Sequence, residues 1–138
     1  MGLPRTLLAG VADSPRRSKL LQLLAAWAPL LDARVELAHV RWPSAAELYV
    51  TRTTGRLASD RPDLEQLARQ LRAEGVPATS QVLPGSDPVA GLLALADRVP
   101  PPVLVAVDSH HTGERVHHDV AYQLIRGSRW PVLATIGT

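Results

Sequence analysis

The sequence contains no cysteine and no phenylalanine, and Lys19 is its only lysine. The absence of cysteine excludes disulfide scaffolds, zinc ribbons and thiol catalysis. Without phenylalanine, a hydrophobic core must be built from leucine, valine and alanine, and three tryptophans are its largest side chains.

Long hydrophobic runs are also missing. Crossing a bilayer takes about 20 consecutive apolar residues, and charges or prolines interrupt every apolar run of this chain well before that. Residues 1–5 lead directly into an apolar strand, without the pattern of a secretory signal peptide. We therefore expect a cytoplasmic protein that does not bind a membrane.

The chain also has little excess of positive over negative charge. The net charge is only +2, and the arginines are scattered along the chain. Nucleic-acid-binding proteins concentrate their basic residues and interleave them with aromatic side chains, so we expect no nucleic-acid partner. With 138 residues, 46% of them apolar, the chain has the size and composition of one globular domain spanning residues 1–138.

The sequence does contain a regular alternation of short continuous apolar runs and longer stretches with helical spacing. This alternation is typical of βαβ units and predicts an α/β fold, an open five-stranded parallel sheet with helices on both faces. The predicted strands are Thr6 to Val11, Val35 to Val40, Ala78 to Leu83, Val103 to Val107 and Trp130 to Ile136.

The first predicted helix follows Ser14, a good N-cap, with Pro15 at the first helical position. Pro29 is expected to end or kink this helix. Its apolar positions recur at helical spacing and predict one buried face: Leu20, Leu24, Trp27 and Leu31.

Proline and glycine also delimit the later elements. Residues Arg41 to Asp60 have no firm period, and we interpret them as a long crossover loop. Pro62 opens the second helix and Gly75 closes it. The third helix begins at Pro88, with Asp87 or Ser86 as its N-cap.

The chemistry of a parallel sheet is expected where its strands end. The fourth strand continues into Asp108, Ser109, His110 and His111, and ligands of open α/β sheets bind just beyond the carboxyl ends of the strands. No nucleophile elbow, Walker lysine pattern or Rossmann glycine fingerprint is present, so we expect no catalytic residues.

Several short segments, in the same order along the chain, resemble those of the universal stress protein family. Leu7 to Ser18 is similar to the family's first strand and following turn, and Leu37 to Val40 to the end of its second strand. Gly85 to Pro88 resembles the turn before the third helix, and Trp130 to Leu133 the start of the last strand. The resemblance covers nearly the whole chain and implies the strand order 3-2-1-4-5.

The resemblance also implies a nucleotide pocket, but two of its motifs differ here. The family's aspartate at the end of the first strand aligns with Ala12, and Asp13 follows it; the glycines of the family's phosphate loop are reduced to Gly113. Glycine is needed there because backbone N–H groups must approach phosphate closely. The pocket residues implied by the resemblance are Asp13, Val40, Ser109, His110 and Gly113.

We therefore interpret the protein as a non-catalytic, stress-linked binding or regulatory protein in which ATP binding is weak or lost. One alternative is an ATP- or AMP-binding member with a remodelled phosphate loop. A second alternative is a metal-binding module, because imidazoles are good metal ligands and four histidines lie in one loop. The simpler interpretation of that loop is a set of solvated polar side chains: His110, His111, His117 and His118.

The last strand is apolar and, in the implied strand order, lies at a sheet edge. Exposed edges of this kind are normally covered, and many relatives pair through this strand. The sequence thus predicts a homodimer through Pro131, Val132, Leu133 and Ile136.

Overall fold

The computed structural model describes residues 3–11, 17–41, 62–85, 87–109 and 120–136. These residues form five strands and four helices in strict alternation. In chain order they are β1 (Thr6–Gly10), α1 (Arg17–Leu31), β2 (Arg34–Arg41), α2 (Pro62–Ala73), β3 (Ala78–Pro84), α3 (Pro88–Ala96), β4 (Val103–Ser109), α4 (Val120–Gly127) and β5 (Val132–Ile136).

The strands form one parallel sheet with the order β3-β2-β1-β4-β5. The predicted fold class and strand order are confirmed. The register places Gly10 at the end of β1 beside Ala38 of β2 and Val107 of β4. The carboxyl ends of the three central strands therefore meet at one edge of the sheet, where the chain's strand order reverses.

Two hydrophobic clusters cover the two faces of the sheet. Helices α1 and α2 pack over one face around Leu7, Val35 and Leu37. Helices α3 and α4 pack over the other face around Leu8 and Val105. Successive strand residues point to opposite faces, which is why neighbouring residues such as Leu7 and Leu8 are both almost fully buried, in different clusters.

The predicted signals that delimit α2 and α3 are confirmed. Helix α2 begins at Pro62, and Gly75 follows it with φ of +87°, a conformation that glycine adopts without strain. Asp87 is the N-cap of α3, and its carboxylate accepts hydrogen bonds from the N–H groups of Val89 and Ala90.

One detail of the predicted first helix is decided in part, and another is wrong. Helix α1 runs past Pro29 to Leu31, so this proline does not end the helix at once, and the predicted kink stays a prediction. Trp27 does not lie on the buried face with Leu20 and Leu24; its exposed fraction is 39%, and Ala28 is buried instead. The buried stripe of α1 therefore continues from Leu24 to Ala28, four residues on, and does not include Trp27.

Some sequence predictions lie outside the described residues. They include the N-cap Ser14 with Pro15, and the crossover loop, of which only Arg41 is described, as the last residue of β2. Among the helices of the described part, none combines the length and apolarity that a membrane crossing requires.

Candidate functional site: a cleft at the carboxyl ends of β1, β2 and β4

A cleft of about 180 Å³ opens where β1, β2 and β4 end. Its walls come from these strand ends and from the first turns of α3 and α4. The lining is mostly apolar, with one imidazole and one carboxylate: Gly10, Val11, Ala38, His39, Val40, Pro88, Leu92, Val107, Asp108 and Val120.

Two glycines let the walls of this cleft approach each other. A Cβ atom on Gly91 would lie 2.7 Å from Cγ2 of Val40, so the missing side chain allows α3 to pack directly on β2. A Cβ atom on Gly10 would lie 2.7 Å from Cδ1 of Leu92 and 3.1 Å from Cγ1 of Val107. The cleft therefore owes its shape to close packing of three aliphatic side chains.

His39 joins the ends of β2 and β1. Its Nδ1 lies 2.8 Å from the carbonyl oxygen of Val11. Because a carbonyl can only accept, Nδ1 carries the hydrogen of this bond, and Nε2 accepts when the ring is neutral. The imidazole thus fixes the first residue after β1 and presents a polar edge among apolar neighbours.

On the far side of the cleft, Asp108 is held by the neighbouring strand β5. Its Oδ1 accepts a hydrogen bond from Oγ1 of the buried Thr135 at 2.8 Å. The register pairs these two residues directly across β4 and β5. This bond fixes the Asp108 carboxylate at the margin of the cleft, where its charge opposes an anion.

The N-terminus of α3 has no N–H group left for a ligand. Pro88 has none, and those of Val89 and Ala90 donate to the Asp87 carboxylate at 3.0 and 3.2 Å. The N–H of Gly91 donates to the Asp87 carbonyl at 3.1 Å. Helix N-termini bind phosphate through free N–H groups and a positive dipole end, and here a carboxylate of the chain already occupies that position.

The structure describes only some of the pocket residues that the sequence predicted. Val40 lies in the wall of the cleft. Ser109 is the last residue of β4, directly after the lining residue Asp108. Asp13, His110 and Gly113 lie outside the described residues, as do His111, His117 and His118. The role in nucleotide binding of the five residues implied by the resemblance stays a prediction.

The pocket residues that the sequence resemblance implied do not include several residues of the cleft, notably Gly10, Leu92 and Asp108. Two of them carried a usable signal. Gly10 ends an otherwise apolar strand, which often marks a close approach of another chain segment. Asp108 lies at the carboxyl end of β4, at the ligand edge of the sheet. Leu92 carried none, because one leucine of an apolar helix looks like any other.

Metal binding finds no support in the described part of the chain. Across residues 3–11, 17–41, 62–85, 87–109 and 120–136, no three histidine, aspartate or glutamate side chains are close enough to hold an ion. The histidine loop lies outside these ranges.

The fold was compared with known proteins. No family model and no curated protein matches the sequence. Solved structures do match over nearly the full length of this chain. A universal stress protein in complex with cAMP matches with a TM-score of 0.74 and 19% identity, covering 97% of this chain and 98% of that one.

Two further matches are of the same kind. The universal stress protein of Archaeoglobus fulgidus in complex with dAMP has a TM-score of 0.65 and 20% identity, over 97% of this chain and 98% of that one. A universal stress protein family protein from Arabidopsis thaliana with AMP bound has a TM-score of 0.65 and 18% identity, over 98% and 93%. The chain has the fold of universal stress proteins, as the sequence resemblance implied.

Proposed function

We propose that this protein is a non-catalytic regulatory domain of the universal stress protein type, whose sheet-end cleft binds the base of an adenine nucleotide weakly and gains little from the phosphates. The observation that carries this proposal is the division of the cleft. Its interior is apolar with fixed polar groups, whereas the end of α3 that borders it is closed by Asp87.

The base side has the properties of a purine site. Aliphatic side chains of Val40, Leu92 and Val107 line it, and small-molecule sites are mostly apolar with few positioned polar groups. The Asp108 carboxylate and the His39 ring supply hydrogen-bonding groups at its margin. Structures with the same fold hold AMP, dAMP and cAMP, and this supports an adenine ligand here.

In the part of the chain that the structure describes, the phosphate side offers little to a polyphosphate. The first four positions of α3 leave no N–H group free for a ligand, and the Asp87 carboxylate is negative. The glycines that bring other backbone N–H groups close to phosphate are reduced to one in the loop after β4. Each lost hydrogen bond to a charged group costs about 1.5 to 3 kcal/mol, and two or three losses move a micromolar ligand toward millimolar.

Calorimetry with AMP, ADP and ATP tests this division. We expect dissociation constants in the upper micromolar to millimolar range that differ by less than about threefold, since the described end of α3 offers the β- and γ-phosphates no donors. Low-micromolar ATP binding, tighter than AMP binding, would overturn the proposal and favour the remodelled-loop alternative. No binding of any of the three would leave the fold without an adenine function.

A matched pair of glycine substitutions locates the binding. Gly10→Ala pushes Leu92 and Val107 apart and should weaken AMP binding at least fivefold. In Gly127→Ala the new Cβ meets its nearest atom at 3.8 Å, an ordinary contact, so AMP binding should not change. Both variants are checked for folding by circular dichroism. Equal binding by both would place the nucleotide elsewhere.

The proposal includes the absence of turnover. The cleft brings together one imidazole and one carboxylate, and His39 already bonds the Val11 carbonyl. The sequence holds no activated nucleophile motif and no Walker lysine. Phosphate release from ATP is compared with the rate in buffer. A faster rate that persists through two chromatographic steps and is lost in Gly10→Ala would show that the domain is an enzyme.

A homodimer through β5 is also part of the proposal. This strand lies at the edge of the sheet, and Val132, Leu133 and Ala134 are only half-buried. Light scattering should show self-association at high micromolar concentration that Val132→Asp weakens, because it removes the contact through β5. The control Ile125→Asp removes an apolar side chain that is 57% exposed on α4, and it should leave the dimer intact.

A further inference from the structure

Helix α1 is apolar on its outer side as well as its inner side. Leu23, Ala26, Trp27 and Leu30 recur at the i, i+3, i+4, i+7 spacing of one helical stripe. Ala26 is exposed, Trp27 is 39% exposed and Leu30 is 81% exposed. We call these four residues the α1 stripe. A helix that is hydrophobic on both sides is normally buried on both sides.

The charges of α1 oppose its own dipole. Lys19 is exposed near the positive N-terminal end, and the first turn contains no acidic residue. Asp32 is exposed directly after the negative C-terminal end, and the last turn contains no basic residue. Each such charge lowers the stability of an isolated helix by about 0.3 to 1 kcal/mol.

The same charges complement an antiparallel copy of the helix. In that arrangement the negative end of one α1, with Asp32, lies beside the positive end of the other, with Lys19. From the apolar stripe and this charge pattern we infer that two copies of the chain associate through their α1 stripes in antiparallel orientation. This contact is independent of any ligand and separate from pairing through β5.

The spacing fits a two-fold axis near the middle of the helix. Pairing Leu23 with Leu30 also places Ala26 opposite Trp27, so a small residue receives a large one at the crossing. Lys19 then lies within a turn of the partner's Asp32, since one residue spans about 1.5 Å along the axis. An isologous contact of this kind uses the same patch on both copies.

The size of the contact sets the expected affinity. Interfaces that bury less than roughly 1,200 Å² are weak or transient, and the contact of one helix with another buries less than that. We therefore expect a dissociation constant in the micromolar range.

The cysteine-free chain permits a direct test by disulfide trapping. Ala26→Cys places a single thiol near the proposed axis, and mild oxidation should give a covalent dimer within minutes. Ala94→Cys places a thiol on another exposed alanine, in α3, and should not give such a dimer. Similar yields from both variants would overturn the inference, because random collision would then explain the cross-link.

A mixed cross-link tests the orientation. Antiparallel pairing predicts that Leu23→Cys and Leu30→Cys protein form a disulfide with each other when mixed, more readily than either forms with itself. Predominant homodimeric cross-links would contradict the antiparallel arrangement.

Sedimentation of uncross-linked protein gives an independent readout, with Val132→Asp present throughout to remove pairing through β5. In that background, adding Trp27→Glu and Leu30→Glu should raise the dimer dissociation constant at least tenfold, and adding Lys19→Glu should raise it several-fold at low salt. Adding Ile125→Glu, which removes an exposed apolar side chain on the opposite face, should not change it. A background protein that is monomeric at high micromolar concentration would overturn the inference.

Discussion

Helices α1 and α2 lie on the same face of the sheet and share one hydrophobic cluster, yet their outer surfaces differ in polarity. Helix α2 buries Leu64, Ala68 and Leu71 and exposes polar residues such as Gln66 and Gln70. Helix α1 buries Leu20, Leu24 and Ala28 but exposes Ala26, Trp27 and Leu30. The inner faces are equivalent, and the difference lies entirely on the outside.

The charges follow the same division. In α2, Arg72 lies in the last turn, where a cation favours the helix dipole. It donates to Oε1 of Glu65 and to the carbonyl of Ala78, both at 2.7 Å, so the helix is tied to β3. In α1, the exposed charges at both ends oppose the dipole. Helix α2 is thus adapted to solvent, whereas α1 carries the features of a helix that pairs.

The largest expected effects test the equivalence of the two inner faces. Leu24→Ala in α1 and Leu71→Ala in α2 each remove a side chain that is at most 3% exposed. Each should lower the free energy of unfolding by about 2 to 5 kcal/mol, because a cavity remains where the leucine was. Urea denaturation of dilute protein measures both. A loss below about 1 kcal/mol in only one of them would mean that the two helices are not equally integrated into the core.

A smaller difference in the free energy of unfolding is expected between substitutions of two basic residues near helix ends, Arg72 of α2 and Lys19 of α1. Arg72→Met removes the bond to the Ala78 carbonyl and the pair with Glu65, and it should cost about 1 to 2 kcal/mol. Lys19→Met removes a cation from the wrong end of a helix, so monomer stability should stay within about 0.5 kcal/mol or rise. A larger loss for Lys19→Met than for Arg72→Met would reverse the comparison.

The same comparison shows what the sequence could predict. The pattern of α2 is amphipathic and delimited by Pro62 and Gly75, so both its buried face and its end followed from elementary rules. In α1, apolar residues occur all round, and periodicity alone could not show which of them face the sheet. Trp27 was therefore assigned to the wrong side.

The cleft was predictable to the same limited degree. Its place followed from topology, because ligands of parallel sheets bind where the strand order reverses. Val40 followed from the family resemblance. The closure of α3 was predicted by a local signal, with Asp87 or Ser86 as the N-cap. The approach of Leu92 to Gly10 depends on how α3 lies across β1, which local sequence spacing does not show.

The smallest expected effect is a pH dependence that only α2 should contribute. The hydrogen bond from Arg72, and next that from Ser80, lower the pKa of Glu65 below its ordinary value of 4.5. A carboxyl group whose pKa is lower in the folded state stabilises the fold above its unfolded pKa and ceases to do so as the pH falls through its folded pKa. Its side chain is 42% exposed, so solvent screening keeps the contribution below about 1 kcal/mol.

Glu65→Gln should therefore reduce the free energy of unfolding slightly at pH 6 to 7, and the difference from the parent protein should shrink as the pH falls below 4.5. The matched control Glu74→Gln replaces an exposed carboxyl just after α2 and should show no such difference. Urea titrations at several pH values measure both variants. A gap between Glu65→Gln and the parent that widens on acidification would contradict the sign of the pKa shift, and with it the claim that charge ties α2, but not α1, to the sheet.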